Sequence, residues 1–176
     1  MERIIHILYS KSLEREMNIA VYGHFGLALL MFPTFTDDYL ENETYGLVQS
    51  VNQYIKSGKI KVFTIGSVNY ESWLNDELPV EEKSEMHYKY NHFITEEVVP
   101  FIIKECGGAV PIITCGASMG AYHAANKYFR RPDMFLGTIA MSGNYNIEAC
   151  SGGIHDDNCY FNSPIHYLPN LTDNYW

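Results

Sequence analysis

One turn constrains this chain more than any other feature. The run Ile112-Ile113-Thr114-Cys115-Gly116-Ala117-Ser118-Met119-Gly120-Ala121-Tyr122 sets a G-x-S-x-G pentad between an apolar stretch of strand character and a helical pattern. Reversing from strand to helix within a residue or two strains the backbone at Ser118, and large side chains at 116 and 120 would collide with neighbouring elements, so small residues are required on both sides. Such a turn lifts the Ser118 hydroxyl above the carboxyl edge of a sheet. There it meets the N-terminus of the following helix, where the Met119 N–H can bind a developing oxyanion. The plainer reading of these five letters is a serine capping a helix after a glycine turn. What favours a nucleophile elbow is the context: a strand before, a helix after, and strand–helix alternation on both sides.

That alternation runs along most of the chain. Residues 3–9 and 17–22 read as strands, and Gly23-His24-Phe25-Gly26 as a tight turn into a buried strand at 27–32, with the first part antiparallel. After Pro33, a helical pattern over 39–56 places Leu47, Val48, Val51, Tyr54 and Ile55 on one stripe and closes at Gly58, as one crossover helix would. A strand at 60–65, a loop holding Tyr70 and Trp73, and a long helix over 80–105 follow, with Pro100 expected to kink or divide that helix. Trp73 and Tyr70 are candidates for lining an apolar pocket, with core packing an equal claim. Then come a strand at 110–115, a helix over 118–129 ended by Arg130-Arg131-Pro132, and a strongly apolar strand at 136–141. From Ser142 onward, Gly, Asn, Asp and Pro mark a loop excursion with short helical turns. The predicted class is α/β: a mostly parallel sheet between helical layers, in a single domain over residues 1–176.

Composition narrows the partners. Lys and Arg number 12 against 21 Asp and Glu, a net charge of −9 that repels phosphate backbones and anionic lipid, so no nucleic acid or membrane partner is expected. The opening residues lack the apolar core and small-residue cleavage site of a signal peptide, and two charge-free stretches are broken by Gly, Pro, His or Asn. Cys106, Cys115, Cys150 and Cys159 form no C-x-x-C pair, which suits thiols in a reducing cytoplasm. Cytoplasmic residence is the expectation.

A tetrahedral oxyanion needs a second donor, and the loop after the third strand, Phe32-Pro33-Thr34-Phe35-Thr36, offers the N–H of Thr34 or Phe35. Taken together, His24-Phe25-Gly26, Phe32-Pro33-Thr34, Val99-Pro100-Phe101, the elbow with Gly120-Ala121-Tyr122-His123-Ala124, Met141-Ser142-Gly143 and Tyr160-Phe161-Asn162-Ser163-Pro164 resemble the esterase D-like branch of the α/β-hydrolases. The similarity spans about residues 17–172. It implies a three-layer α/β-hydrolase sandwich, and hydrolysis of small acyl esters through a covalent acyl-enzyme on Ser118 without metal or organic cofactor.

The departure from that pattern lies in the base. The order expected in this fold is Ser, then Asp or Glu, then His, with the acid and histidine following two further strands, yet only one clear strand follows Ser118. His123 is about 140° around and about 7.5 Å along the helix from Ser118 and cannot present its ring to that hydroxyl. His24 belongs to the opposite sheet edge, His6 to the first strand, and His87 and His92 to the long helix. His155 and His166 leave the same edge as Ser118 and are the remaining possibilities, with Asp156 or Asp157 to orient one of them, although an Asp-Asp-Asn cluster more often caps a loop. Cys150, His155, Asp156 and Cys159 crowd within ten residues but match no common zinc spacing. The chain therefore reads as an α/β-hydrolase domain whose C-terminal strands are missing. On that reading it has an open sheet edge beside residues 136–141, and it is inactive, self-associating or completed by another chain. The competing reading is a non-catalytic binding protein that keeps the elbow and its pocket.

Overall fold

The computed structural model describes residues 2–154 and 156–172. Six strands form one sheet: β1 (Arg3–Ser10), β2 (Arg15–Tyr22), β3 (Leu27–Met31), β4 (Ile60–Ile65), β5 (Ile112–Ala117) and β6 (Gly137–Met141), in the spatial order β1-β2-β4-β3-β5-β6. β1 and β2 form an antiparallel hairpin with Arg3 opposite Tyr22 and Ser10 opposite Arg15, and β2 runs antiparallel to β4. The other three pairings, β3 with β4, β3 with β5 and β5 with β6, are parallel. Antiparallel N-terminal strands on an otherwise parallel sheet are the architecture expected.

Period-two alternation divides the side chains of each central strand between two cores. Ala28 and Leu30 of β3 point to one face with Val21, Phe63 and Ile65, while Leu29 and Met31 point to the other with Ala20, Tyr22 and Val62. The first face is covered by a long helical rod and by the elbow helix. The rod consists of α4 (Val80–His92), a π-helical stretch over Phe93–Val98 and α5 (Val99–Glu105), and it buries Tyr90, Phe93, Ile94, Val98, Val99 and Ile102. Pro100 was expected to kink or divide this helix, and the irregularity falls just before it. Proline has no N–H and its ring crowds the carbonyl a turn earlier, and widening to i+5 bonding ahead of it accommodates both.

The crossover on the other face differs from the expected single helix over 39–56. It is three short pieces, α1 (Glu41–Thr44), α2 (Leu47–Ser50) and α3 (Asn52–Lys56). Gly46, with φ 79°, takes the left-handed conformation and ends α1. Val48 and Ile55 reach the core as expected, but the break turns Tyr54 outward.

After β5, the elbow helix α6 (Met119–Arg130) leads to β6. Three short helices then follow, α7 (Glu148–Ser151), α8 (Asp157–Phe161) and α9 (Pro164–Tyr167). They close a third cluster in which Trp73 packs with Tyr122, Ile147 and Cys159. Trp73 is therefore a core residue and not a pocket aromatic, whereas Tyr70 is exposed. The strand at 136–141 has the apolar composition of a central strand, yet β6 forms the open sheet edge expected there, with Leu136 (66%), Ile139 (48%) and Met141 (36%) exposed.

Candidate active site

The site begins at the carboxyl end of β5. Ser118 has φ 53° and ψ −120°, an unusual conformation for a non-glycine residue, and its N–H donates to Met141 O at 2.9 Å, tying the turn to β6. Its carbonyl accepts from Ala121 and Tyr122 N–H, which starts α6, and its side chain is exposed. The Met119 N–H belongs to the first turn of α6, where backbone donors have no partner within the helix.

Both glycines of the pentad are sterically enforced. A Cβ on Gly116 would lie 2.3 Å from the Gly120 backbone, and one on Gly120 would lie 2.6 Å from Pro33 O and 2.7 Å from Phe32 O. The second clash also measures how closely the elbow sits against the loop after β3. Phe32 N–H donates to Cys115 O at 2.9 Å, and Asn42 Nδ2 donates to Phe32 O at 3.1 Å, which holds that loop in place.

One residue in this loop's surroundings was invisible to sequence reasoning. Glu41, 3% exposed at the start of α1, accepts from Thr34 N–H and Thr34 Oγ1, both at 2.5 Å, from Thr36 N–H at 3.0 Å, and from Thr36 Oγ1. Burial opposes its charge, but donors from Thr34 and Thr36 outweigh that and hold the carboxyl below its ordinary range. A glutamate seven residues beyond Thr34 carries no local signature, because its role exists only once α1 folds back over the loop. The consequence for the two candidate donors is direct. Thr34 N–H is committed to Glu41, while Phe35, exposed beside it, makes no backbone hydrogen bond among the described residues.

The histidines are placed elsewhere. His123 is buried, with Nε2 2.8 Å from Asn69 Oδ1, and stacks on His87 at 5.5 Å between centroids. His87 Nε2 lies 3.4 Å from Tyr122 Oη. Burial, followed by the nearby charge of Lys127, pushes His123 down to about 3; burial and its neighbouring positive groups push His87 well down too. His6 packs edge-on against Phe101, and His92 against Tyr88. His166 Nδ1 is 2.7 Å from Ser163 Oγ, and its Nε2 is 3.4 Å from Glu148. His155 lies outside the described residues. Among the described residues, no side chain hydrogen-bonds the Ser118 hydroxyl.

Asp156 caps α8, accepting from Cys159 N–H at 2.6 Å, and also receives the Ser84 hydroxyl. Among the described residues, no three His, Cys, Asp or Glu side chains group closely enough to hold a metal. No helix of the described residues is long and apolar enough to cross a membrane.

A family described as "Putative esterase" matches residues 10–166. The chain belongs to this esterase family. Its class is that of the carboxylic ester hydrolases, on the α/β-hydrolase fold. Three solved structures share the fold. A ferulic acid esterase is similar with a TM-score of 0.69 and 19% identity over 99% of this chain and 73% of its own. A substrate-bound fluorophosphonate-binding serine hydrolase F of Staphylococcus aureus gives 0.64 and 15% over 97% and 67%. An S-formylglutathione hydrolase of the same organism gives 0.62 and 15% over 96% and 70%. No curated protein matches the sequence.

Proposed function

We propose that Ser118 is the nucleophile of an acyl-ester hydrolase, with the N–H groups of Met119 and Phe35 as its oxyanion donors. The observation that carries this reading is the left-handed strand-to-helix turn, which leaves the Ser118 hydroxyl exposed and is pressed against a loop with one uncommitted N–H. The hydroxyl oxygen attacks the ester carbonyl carbon as a base takes its proton. The carbonyl oxygen becomes the oxyanion, and collapse expels the alcohol, which takes a proton as it leaves. Water then adds to the acyl-enzyme, releasing the carboxylic acid and restoring the hydroxyl. Thr34 has a supporting role in this reading, since its own N–H and hydroxyl anchor the loop to Glu41.

The proton acceptor is not found among the described residues. No imidazole of the described residues reaches Ser118, and residues 1–176 by themselves are accordingly proposed to acylate slowly and not to turn over. That same observation favours the second reading, a binding protein on the same scaffold. Cys106, Cys115 and Cys150 are thiols, which supports a cytosolic setting.

The two readings separate by mass spectrometry after exposure to a fluorophosphonate, alongside hydrolysis of p-nitrophenyl acetate. A single adduct on Ser118, absent from Ser118→Ala and unaccompanied by turnover, is the expected result. No adduct would leave the binding protein. Sustained turnover by residues 1–176 would instead put the base within the chain and make His155 and His166 the next residues to replace.

A further inference from the structure

The far end of α6 carries a second constellation, unrelated to the ester site. Lys127, Arg130 and Arg131 share one side of its last turns by their i, i+3, i+4 spacing. Together with His92, Thr95 and Glu96 of the long rod, they line a cavity of about 160 Å³, several times the roughly 30 Å³ that one liquid water occupies. Nine residues of helix separate Lys127 from Ser118, about 13.5 Å along the axis.

The polar groups here are unbalanced in one direction. Lys127 is 3% exposed, with burial and then Arg130 and Arg131 pushing its amine well down, and its Nζ donates to Asn91 Oδ1, a neutral amide. Arg130 Nη1 donates to Asn162 Oδ1 at 3.0 Å, also an amide oxygen. That oxygen already accepts from Asn91 Nδ2 at 3.1 Å and Asn126 Nδ2 at 2.8 Å, so three donors compete for two lone pairs. Neither Lys127 nor Arg130 forms an ion pair among the described residues, although the chain has nearly twice as many acids as bases. Arg131 is paired with Asp133 at 2.7 Å, and Glu96 stands exposed at the rim. The negative end of the α6 dipole eases these cations, but their hydrogen bonds run to Asn91 and Asn162 rather than to the last helical carbonyls. Against these three basic side chains the lining sets one carboxylate, Glu96.

We propose that this cavity binds a phosphate group, with Lys127 contacting it from inside and Arg130 and Arg131 closing on it at the mouth. A tetrahedral dianion supplies several acceptor oxygens at once, which suits two guanidinium forks and a lysine presented together from one side of the helix. A planar monoanionic carboxylate matches them less well. The phosphate comes either as the free ion or as the end of an organic monoester.

Calorimetric titration at fixed ionic strength tests the site with inorganic phosphate, glycerol 3-phosphate and acetate. Saturable one-to-one binding of a phosphate is expected, weakened at least tenfold by Arg130→Gln and by Arg131→Gln and unchanged by Ser118→Ala. Tighter binding of the inorganic ion identifies the free anion as the ligand; tighter binding of the monoester identifies an organic phosphate. Both arginines are at the mouth, and retained circular dichroism will show that these variants fold. Heats no larger than those of sodium chloride overturn the proposal. So does acetate binding as tightly as phosphate, or binding that both arginine variants leave intact.

Discussion

A buried carboxylate that accepts four hydrogen bonds is a strong local organiser, and Glu41 uses all four to fix residues 34–36. Replacing it with Gln keeps the volume but exchanges one acceptor oxygen for a donor group, so two threonine donors lose a partner in a buried place. Hydrogen bonds to charged groups contribute about 1.5–3 kcal/mol each. Glu41→Gln is expected to lower stability by about 2–3 kcal/mol in urea unfolding. It should also slow fluorophosphonate labelling of Ser118 by tenfold or more, since a displaced oxyanion donor costs on that order. Unchanged labelling would remove Glu41 from the positioning of Phe35. The stacked pair His87 and His123 makes a different prediction. Both are buried neutral, with folded-state values below the unfolded value near 6.5, so the unfolded chain binds the extra protons as pH falls. Their contribution is complete above about pH 6.5 and is lost progressively as pH falls below it, for His123 down to about pH 3, at up to about 1.4 kcal/mol per pH unit for each ring. Urea midpoints at pH 7 and pH 5 should show that decline, and His123→Gln, which can still bond Asn69, should make it shallower.

At the scale of elements, the elbow is a contact between two backbones. Gly120→Ala would place a methyl group within 3 Å of Pro33 O and Phe32 O, and overpacking of this kind costs about 1–3 kcal/mol. Gly137→Ala at the edge strand meets nothing within 4 Å and serves as the control. A larger fall in urea midpoint for Gly120→Ala than for Gly137→Ala is expected, and equal effects would contradict the packing account. The elbow was legible because strand, pentad and helix are contiguous and each has its own periodicity. The sheet was legible for a related reason, since apolar runs such as Leu27–Met31 are bounded by glycine or proline signals. The breaks at Gly46 and at Phe93–Val98 were not. A lone glycine within a helical stripe is tolerated as often as it terminates, and whether a proline kinks a rod or is absorbed by a wider turn depends on what the rod packs against. Glu41 and the cluster around Asn162 were hidden for a third reason: their partners are distant in the chain, and no spacing rule links them.

Taken as a whole, the sheet is covered unevenly. The long rod and α6 shield one face, while α1–α3 shield only the centre of the other. Ile139 and Met141 on β6, and Ile5, Ile7 and Tyr9 on β1, are left in water. An edge strand with unpaired backbone groups and apolar side chains invites another strand. Residues 1–176 are expected to self-associate through β6, with a concentration-dependent mass in light scattering that Ile139→Lys reduces and Tyr54→Lys does not. A monodisperse monomer at high concentration would count against this. The thin cover over the second face has a kinetic meaning as well. Glu41 sits in a helix of four residues, bounded by a left-handed glycine, and segments so short open far more readily than the sheet beneath them. If α1 opens at a cost of about 2 kcal/mol, roughly 3% of molecules at any instant have an unclamped loop beside Ser118. Amide exchange in α1 would then set the ceiling on how much of the population is poised for chemistry, and a ligand that tightened α1 would act on the reaction without touching the serine.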